Sequence, residues 1–329
     1  MADQPAVGTA LVLGTAGQLG RELRLAVAEG LGASLAQHWV WADREVCDLT
    51  QSAQIQHCLQ QHQPGLIINA AAYTAVDRAE SEPDLAHRIN AAAVAELAQS
   101  AQDLGAVMVH FSTDYVFDGL LDRPYLETDV PHPQSVYGRT KLQGEQALAA
   151  ALERHLILRT SWVFARHGGN FLKTILKLAQ ERDTLRVVSD QWGAPTSARL
   201  LARQSLLACA QALGSTRAEP RWGLYHLTCQ GHTHWQAYAV HVLTQAARWG
   251  VKLRLQPDQV QAISTAHYPT PARRPMNSRL DGSLWQRTWG QSLPGWQSEV
   301  DQVLADVLLD QGVLTPAMRS MITSVRSAQ

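Results

Sequence analysis

The sequence predicts an α/β protein: a doubly wound parallel sheet followed by a smaller C-terminal α/β domain. Three observations carry this expectation. Short apolar runs alternate with longer segments of helical periodicity through the first half of the chain. The runs are apolar at consecutive positions, as strands covered on both faces are. A glycine-rich stretch, Gly14–Gly20, joins the first run to the first helical segment.

Taken in order, Thr9–Gly14 (TALVLG) reads as the first strand and Gln18–Glu29 as a helix carrying Leu19, Leu23, Leu25 and Val27. His38–Asp43 is a second strand, and Thr50–Gln61 a helix capped by Thr50. Gly65–Ala70 is a third strand. Pro83–Leu104 reads as one long alanine-rich helix, with Pro83 accommodated in its first turn. Ala106–Ser112 is a fourth strand, Val136–Ala150 a helix and Leu156–Ser161 a fifth strand. After Arg166 the pattern loosens into a turn (Arg166–Asn170), a helix (Phe171–Arg182) and short strands at Leu185–Ser189 and Gly223–Thr228. The expected division is residues 1–165 for the sheet domain and 166–329 mainly for the second, with the helix near 197–213 returning to the sheet.

The 329 residues are 46% hydrophobic and 17% charged, the balance of a folded chain with an ordinary core. A formal net charge of −1 gives no field that would draw the whole chain to nucleic acid or anionic lipid, so neither partner is expected. Cys47, Cys58, Cys209 and Cys229 are scattered without metal or redox spacing, as reduced thiols of a cytoplasmic protein are. The N-terminus shows no basic region ahead of an apolar run, and no run approaches the roughly 18 residues of a membrane span. His232 and His234, in HTHW, precede an apolar helix without further ligands nearby and read as a helix start.

Gly14, Gly17 and Gly20 follow a strand and open a helix. Missing side chains let such a turn approach a pyrophosphate, and the helix start offers free N–H groups and partial positive charge. A dinucleotide cofactor is the expected ligand. The second strand ends in Asp43 and Arg44. An aspartate there accepts from a ribose hydroxyl, favouring NADH, whereas an arginine meets a 2′-phosphate, favouring NADPH; both stay open. Asp48 and Leu49 are placed to bracket the adenine, and Ala70, Ala71 and Ala72 leave room for a cofactor across the strand ends.

Ser112, Thr113 and Asp114 leave the fourth strand at a carboxyl end, where this architecture places its chemistry. Tyr137 and Lys141 follow on the next helix, four residues apart and therefore on one face. A free phenol titrates near about 10. A nearby ammonium and an oxidised nicotinamide would lower that value, so the expectation is an acidified Tyr137 that protonates a carbonyl oxygen as hydride reaches its carbon. Thr113 is expected to polarise the same oxygen.

These features together resemble the extended short-chain dehydrogenase/reductase superfamily, whose sheet is the Rossmann fold. GTAGQLG, NAAAYTAVDRAESEP, STDYVFDG, YGRTKLQGE, LRTSWVF, DQWGAPTSA, GLYHLTCQG and YPTPARRPMNSRLD further resemble, in order and spacing, the dTDP-4-dehydrorhamnose reductases. The likeness runs from about Leu11 to the helix near Leu309. It implies reduction of the 4-keto group of a dTDP-linked keto sugar by NADPH or NADH. By position it implies cofactor contacts at Gly17, Gln18, Leu19, Asp43, Asp48, Leu49, Ala72, Tyr73 and Thr74. It implies substrate contacts at Thr113, Asp114 and Trp162, and a catalytic pair in Tyr137 and Lys141.

Arg274, between prolines, offers a guanidinium fork for the substrate's diphosphate. Some members are thought to form a homodimer through a metal held by carboxylates. The matching places here carry Arg199 and Gln297, which supply no hard anionic ligand, so no metal is expected. Two rival readings remain at this stage. One is a sugar-nucleotide epimerase or dehydratase; Tyr115, where a dehydratase needs an acid, disfavours elimination. The other is a non-catalytic subunit similar to the regulatory beta subunit of methionine adenosyltransferase.

Overall fold

The apolar runs of the sequence become strands of one parallel sheet in the computed structural model, which describes residues 6–214 and 221–324. The strands are β1 (Val7–Leu13), β2 (Ala36–Ala42), β3 (Leu66–Asn69), β4 (Val107–Thr113), β5 (His155–Thr160) and β6 (Val163–Phe164). They continue with β7 (Leu185–Val188), β8 (Trp192–Gly193), β9 (Thr196–Ser197), β10 (Gly223–His226), β11 (Thr233–His234) and β12 (Val260–Ile263). The helices are α1 (Gln18–Ala28), α2 (Ser52–His62), α3 (Val76–Ala79), α4 (Pro83–His87), α5 (Ala93–Leu104) and α6 (Val136–Ala151). In the second half follow α7 (Phe171–Glu181), α8 (Ala198–Leu213), α9 (Trp235–Arg248), α10 (Ser283–Trp289), α11 (Trp296–Asp310) and α12 (Pro316–Ser324).

The large sheet runs β10-β5-β4-β3-β1-β2, with every neighbour parallel. Leu13 is level with Ala42 on one side and Asn69 on the other, and Thr113 with Thr160. The carboxyl ends therefore form one edge, and the reversal of strand order between β1 and β3 opens a crevice along it. One face of the sheet is covered by α1, α8 and α10, through Leu23, Leu201, Leu206, Trp285 and Trp289. The other is covered by α2, α5 and α6, through Ile55, Leu59, Val94, Leu97 and Leu148. A second core gathers Leu172, Leu176, Tyr238, Val242, Val300 and Leu304 from α7, α9 and α11. The parallel pair β7–β12 lies beside it. Among the described residues no helix is long and apolar enough to cross a membrane.

Three local expectations differ from the structure. Thr50 does not cap α2, which starts at Ser52 with Gln51 in the cap position. The turn is organised instead by Asp48, whose Oδ1 accepts from the Thr50 N–H at 2.9 Å. The single long helix over 83–104 is interrupted by a π turn, Arg88–Ala92, between α4 and α5. The inserted residue turns Asn90 inward, where its amide binds both backbone groups of Tyr73, at 2.9 and 3.1 Å. The strand at 223–226 does not stay with the second core: it pairs with β5 and covers a sheet edge that would otherwise stand open. The division at 165/166 thus does not separate the sheet from later residues. The start at HTHW is as read: His234 caps α9, its Nδ1 accepting from the Ala237 N–H at 3.2 Å.

Candidate active site

A cleft of about 800 Å³ opens along the carboxyl edge of the sheet. Its floor begins at the β1–α1 turn. Gly14 has a φ of +78°, and a Cβ there would stand 2.6 Å from the backbone nitrogen of Ala71. Only glycine meets both conditions. Gly17, Gln18 and Leu19 complete this end of the lining. Gly20 does not line the cleft; a Cβ on it would meet the Gly14 carbonyl oxygen at 2.4 Å, so its role is to let α1 close onto the turn.

Asp43, Arg44, Asp48 and Leu49 line the β2 side. Asp43 Oδ1 accepts from the Glu45 and Val46 N–H groups at 3.0 and 3.2 Å. Arg44, the residue that would favour NADPH, pairs with Asp48 at 3.2 Å and stays largely exposed. Such a pair is weak and yields easily to a bound anion. Ala70, Ala71, Ala72, Tyr73 and Thr74 line the β3 side. Asn90, which sequence reasoning missed, fixes Tyr73 as described. The glycine cradle, the small alanines and the open α1 start fit a dinucleotide, and these residues would hold it.

Thr113 and Asp114 are buried at the end of β4. Thr113 Oγ1 donates to Asp114 Oδ1 at 2.9 Å and accepts from the Tyr115 N–H at 3.2 Å. Burial pushes the Asp114 carboxyl up to about 6, against hydrogen bonds from Ser278 and Thr113. Tyr137 is on α6, whose start is capped by Ser135 accepting from the Gly138 N–H at 3.1 Å. Its phenol shares a hydrogen bond with Thr113 and packs edge-on against Tyr115, ring centres 5.7 Å apart.

The expected acidification of Tyr137 is not what the structure shows. Burial pushes the phenol up to about 12, opposed by Thr113 and helped by the Asp114 charge. Lys141 lines the same cleft, yet its ammonium nitrogen is turned to the Phe111 carbonyl at 2.7 Å and to His110 Nε2 at 3.2 Å. Burial lowers Lys141 to about 8. Desolvation therefore outweighs the cation at Tyr137.

Trp162 stands in the left-handed region, φ +47°, a costly conformation for a large side chain. It is held by a stack on Trp235, ring centres 3.6 Å apart and planes 14° apart. Both rings line the cleft. Sequence reasoning took Trp235 for part of a helix start only. Arg274 also lines the cleft; its Nη2 donates to Asp77 at 2.9 Å, and its buried Nε has no hydrogen-bond partner. Arg273 lies outside the lining and reaches Gln134 at 3.4 Å. Arg199 is remote from the cleft chemistry: it pairs with Asp306 and stands 3.9 Å from Glu22.

The chain matches the model of the RmlD substrate binding domain over residues 8–309. It is 45% identical to dTDP-4-dehydrorhamnose reductase of Escherichia coli (strain K12) over 297 residues, 90% of this chain and 97% of that protein. It is 36% identical to the protein of the same name from Streptomyces griseus, over 89% of this chain and 91% of the other. The crystal structure of a dTDP-4-dehydrorhamnose reductase from Clostridium acetobutylicum superposes with a TM-score of 0.81 at 34% identity, covering 91% of this chain and 99% of that one. The Bacillus anthracis dTDP-4-dehydrorhamnose reductase in complex with NADP gives a TM-score of 0.80 at 31% identity, with the same coverage.

Proposed function

The chain belongs to the RmlD substrate binding domain family, and on that premise we propose how its cleft reduces a sugar ketone. It is an NAD(P)H-dependent reductase that converts the C4 ketone of dTDP-4-dehydro-β-L-rhamnose to the alcohol of dTDP-L-rhamnose. The observation that carries the mechanism is the meeting of the Gly14 turn, Thr113, Tyr137 and Lys141 in one cleft. When bound, the reduced dinucleotide supplies the hydride that adds to C4.

Tyr137 gives the proton that the C4 oxygen then takes. Its raised pKa suits this direction: the phenol keeps its proton at neutral pH and yields it only to the stronger base, an alkoxide. Thr113 orients the phenol and, once its own proton leaves Asp114, can donate to the same oxygen. Trp162 and Trp235 present an apolar wall to the sugar, and Arg274 offers its unpartnered Nε to the diphosphate. Tyr115 in the place of an acid, packed against Tyr137, speaks for reduction over elimination. The test is oxidation of each reduced cofactor by purified protein, with and without the keto sugar. Consumption without the sugar, or none with it, refutes the reading.

Two further outcomes are expected. Arg274→Ala raises KM for the dTDP-sugar by about 10- to 100-fold, the worth of a charge-assisted hydrogen bond, with kcat little changed. An unchanged KM removes Arg274 from the diphosphate site. The pH profile of kcat/KM falls on the acid side near pH 6, where Asp114 takes up a proton, and Asp114→Asn abolishes that limb. The same carboxyl binds its proton more tightly folded than unfolded, so its contribution to stability is full below about 4 and is lost as pH rises through about 6.

A further inference from the structure

A second cavity, of about 380 Å³, adjoins the main cleft and shares Ala16 and Asp43 with it. None of the steps above uses it. Arg21 and Arg24 enter its wall from α1, and His167 from the turn that follows β6. The two arginines are three residues apart and so lie on one face of the helix. Each is fixed with donors to spare. Arg21 gives its Nε–H to the Ala16 carbonyl at 3.1 Å, one of the five N–H groups that a guanidinium carries. Arg24 sits over the Trp41 ring, 5.1 Å from its centre, and Trp41 stacks on Trp39 with ring centres 5.6 Å apart. Among the described residues neither arginine has a carboxylate within ion-pair distance, whereas Arg44 is paired with Asp48. Nε2 of His167 is buried without a hydrogen-bond partner, 3.9 Å from Glu22. Burial and the charges of Arg166 and Arg21 hold this imidazole below the ordinary histidine value, which marks the surroundings as electropositive.

Two carboxylates oppose an anion here, and both are engaged. Oδ1 of Asp43 accepts from the Glu45 and Val46 N–H groups. Glu22 lies buried behind His167, with Arg199 3.9 Å away. Position then names the anion. The residue that ends β2 meets the adenosine ribose, and Ala16 belongs to the turn that receives the pyrophosphate. A ribose held between Ala16 and Asp43 stands where the two cavities join, and a phosphate on its 2′ oxygen has the second cavity to enter. Such a phosphate is close to a dianion at neutral pH and offers three acceptor oxygens, the partner that guanidinium forks fit. We propose that the second cavity is the subsite for the 2′-phosphate of NADPH, gripped by Arg21 and Arg24 with His167 as a further donor. The inference rests on the reading of the main cleft as a dinucleotide site and decides which dinucleotide it favours. Preference for NADPH is then set chiefly from α1 and not by Arg44.

The test uses the full-length, ligand-free protein and two fragments that differ only in the 2′-phosphate, adenosine 2′,5′-bisphosphate and 5′-AMP. Isothermal titration calorimetry is expected to show the bisphosphate binding about 10- to 100-fold more tightly, the worth of charge-assisted hydrogen bonds. The advantage shrinks as salt rises, because the site is open to solvent. In Arg21→Gln/Arg24→Gln the ratio of the two affinities falls to about threefold or less. Both side chains are exposed, so this variant is expected to fold, and its thermal midpoint checks that. Equal affinities of the two fragments for the wild type overturn the proposal. A ratio that survives the double substitution but is lost in Arg44→Gln also overturns it, and gives the phosphate to Arg44. Neither fragment carries a nicotinamide or a keto sugar. A bisphosphate preference in a protein that reduces no keto sugar therefore refutes the proposed reaction and leaves this inference standing.

Discussion

Tyr137→Phe binds the reduced dinucleotide as the wild type does and loses about 10²- to 10⁴-fold in kcat, the usual worth of a positioned general acid. The substitution removes one oxygen and keeps the ring. The edge-on contact with Tyr115 and the α6 start capped by Ser135 stay in place, so the fold and the cofactor cleft are preserved. What disappears is the proton source for the C4 oxygen and one partner of the Thr113 hydroxyl, which keeps Asp114 and the Tyr115 N–H. Because the lost interaction is made chiefly in the transition state, kcat and kcat/KM fall together while KM changes little. The measurement is loss of reduced-nicotinamide absorbance under saturating keto sugar, paired with a cofactor titration by fluorescence. Wild-type turnover by the phenylalanine variant would mean that the proton comes from another group, with Thr113 the nearest hydroxyl.

How much of this was legible in the sequence depends on the range of the interaction. Gly14, Tyr137 and Lys141 are readable because their geometry is local: a turn between a strand and a helix, and two side chains a helical turn apart. Four of the five leading strands, β1, β3, β4 and β5, are readable because burial leaves continuous apolar runs, whereas β2 is a half-exposed edge strand. The strand at 223–226 is four residues long, and its place beside β5 follows from an exposed edge that no local pattern records. Asn90 lies inside a run of helical periodicity. Only its bonds to Tyr73, 17 residues earlier in the chain, reveal why the helix widens there. Trp235 reads as a helix start and becomes cleft wall once α9 packs under Trp162.

Electrostatics was the least legible layer. Spacing places Lys141 on the face of Tyr137, and an isolated helix would let the cation act on the phenol. The sheet adds what spacing lacks: His110 and the Phe111 carbonyl, 31 and 30 residues away, capture the lysine nitrogen. With the cation turned aside, desolvation governs, and Tyr137 moves up where the sequence pointed down. The proton-donor role survives this change because donation needs a protonated phenol.

Gly14→Ala is expected to damage fold and cofactor binding together, and Gly17→Ala to separate them. At Gly14 the new Cβ runs into three consecutive backbone atoms of one peptide: Ala71 nitrogen at 2.6 Å, Ala71 Cα at 2.7 Å and the Ala70 carbonyl carbon at 2.9 Å. None can retreat as a flexible side chain would. The Gly14 N–H donates to Ala42 at 2.9 Å and the Ala70 N–H to Leu13 at 3.1 Å, so both segments are tied into the sheet. The positive φ adds about 1 kcal/mol for any residue with a Cβ, and forced overpacking about 1–3 kcal/mol more. For a domain of this size the midpoint of thermal unfolding drops by roughly 5–10 °C. The turn must open away from β3, which moves the α1 start from where a pyrophosphate would rest. Dinucleotide affinity then falls by about 100-fold or more, with or without sugar present. Gly17 has an ordinary φ of −73°, and its nearest obstacle is the Gly14 carbonyl oxygen at 3.2 Å. A few tenths of an ångström of adjustment admit the methyl, so Gly17→Ala keeps the wild-type midpoint and loses affinity only, by bringing a methyl to the floor of the cleft. Differential scanning fluorimetry of both variants, with and without NADPH, reads the contrast. Equal midpoints for the two alanine variants would show that the β1–α1 turn does not press on β3.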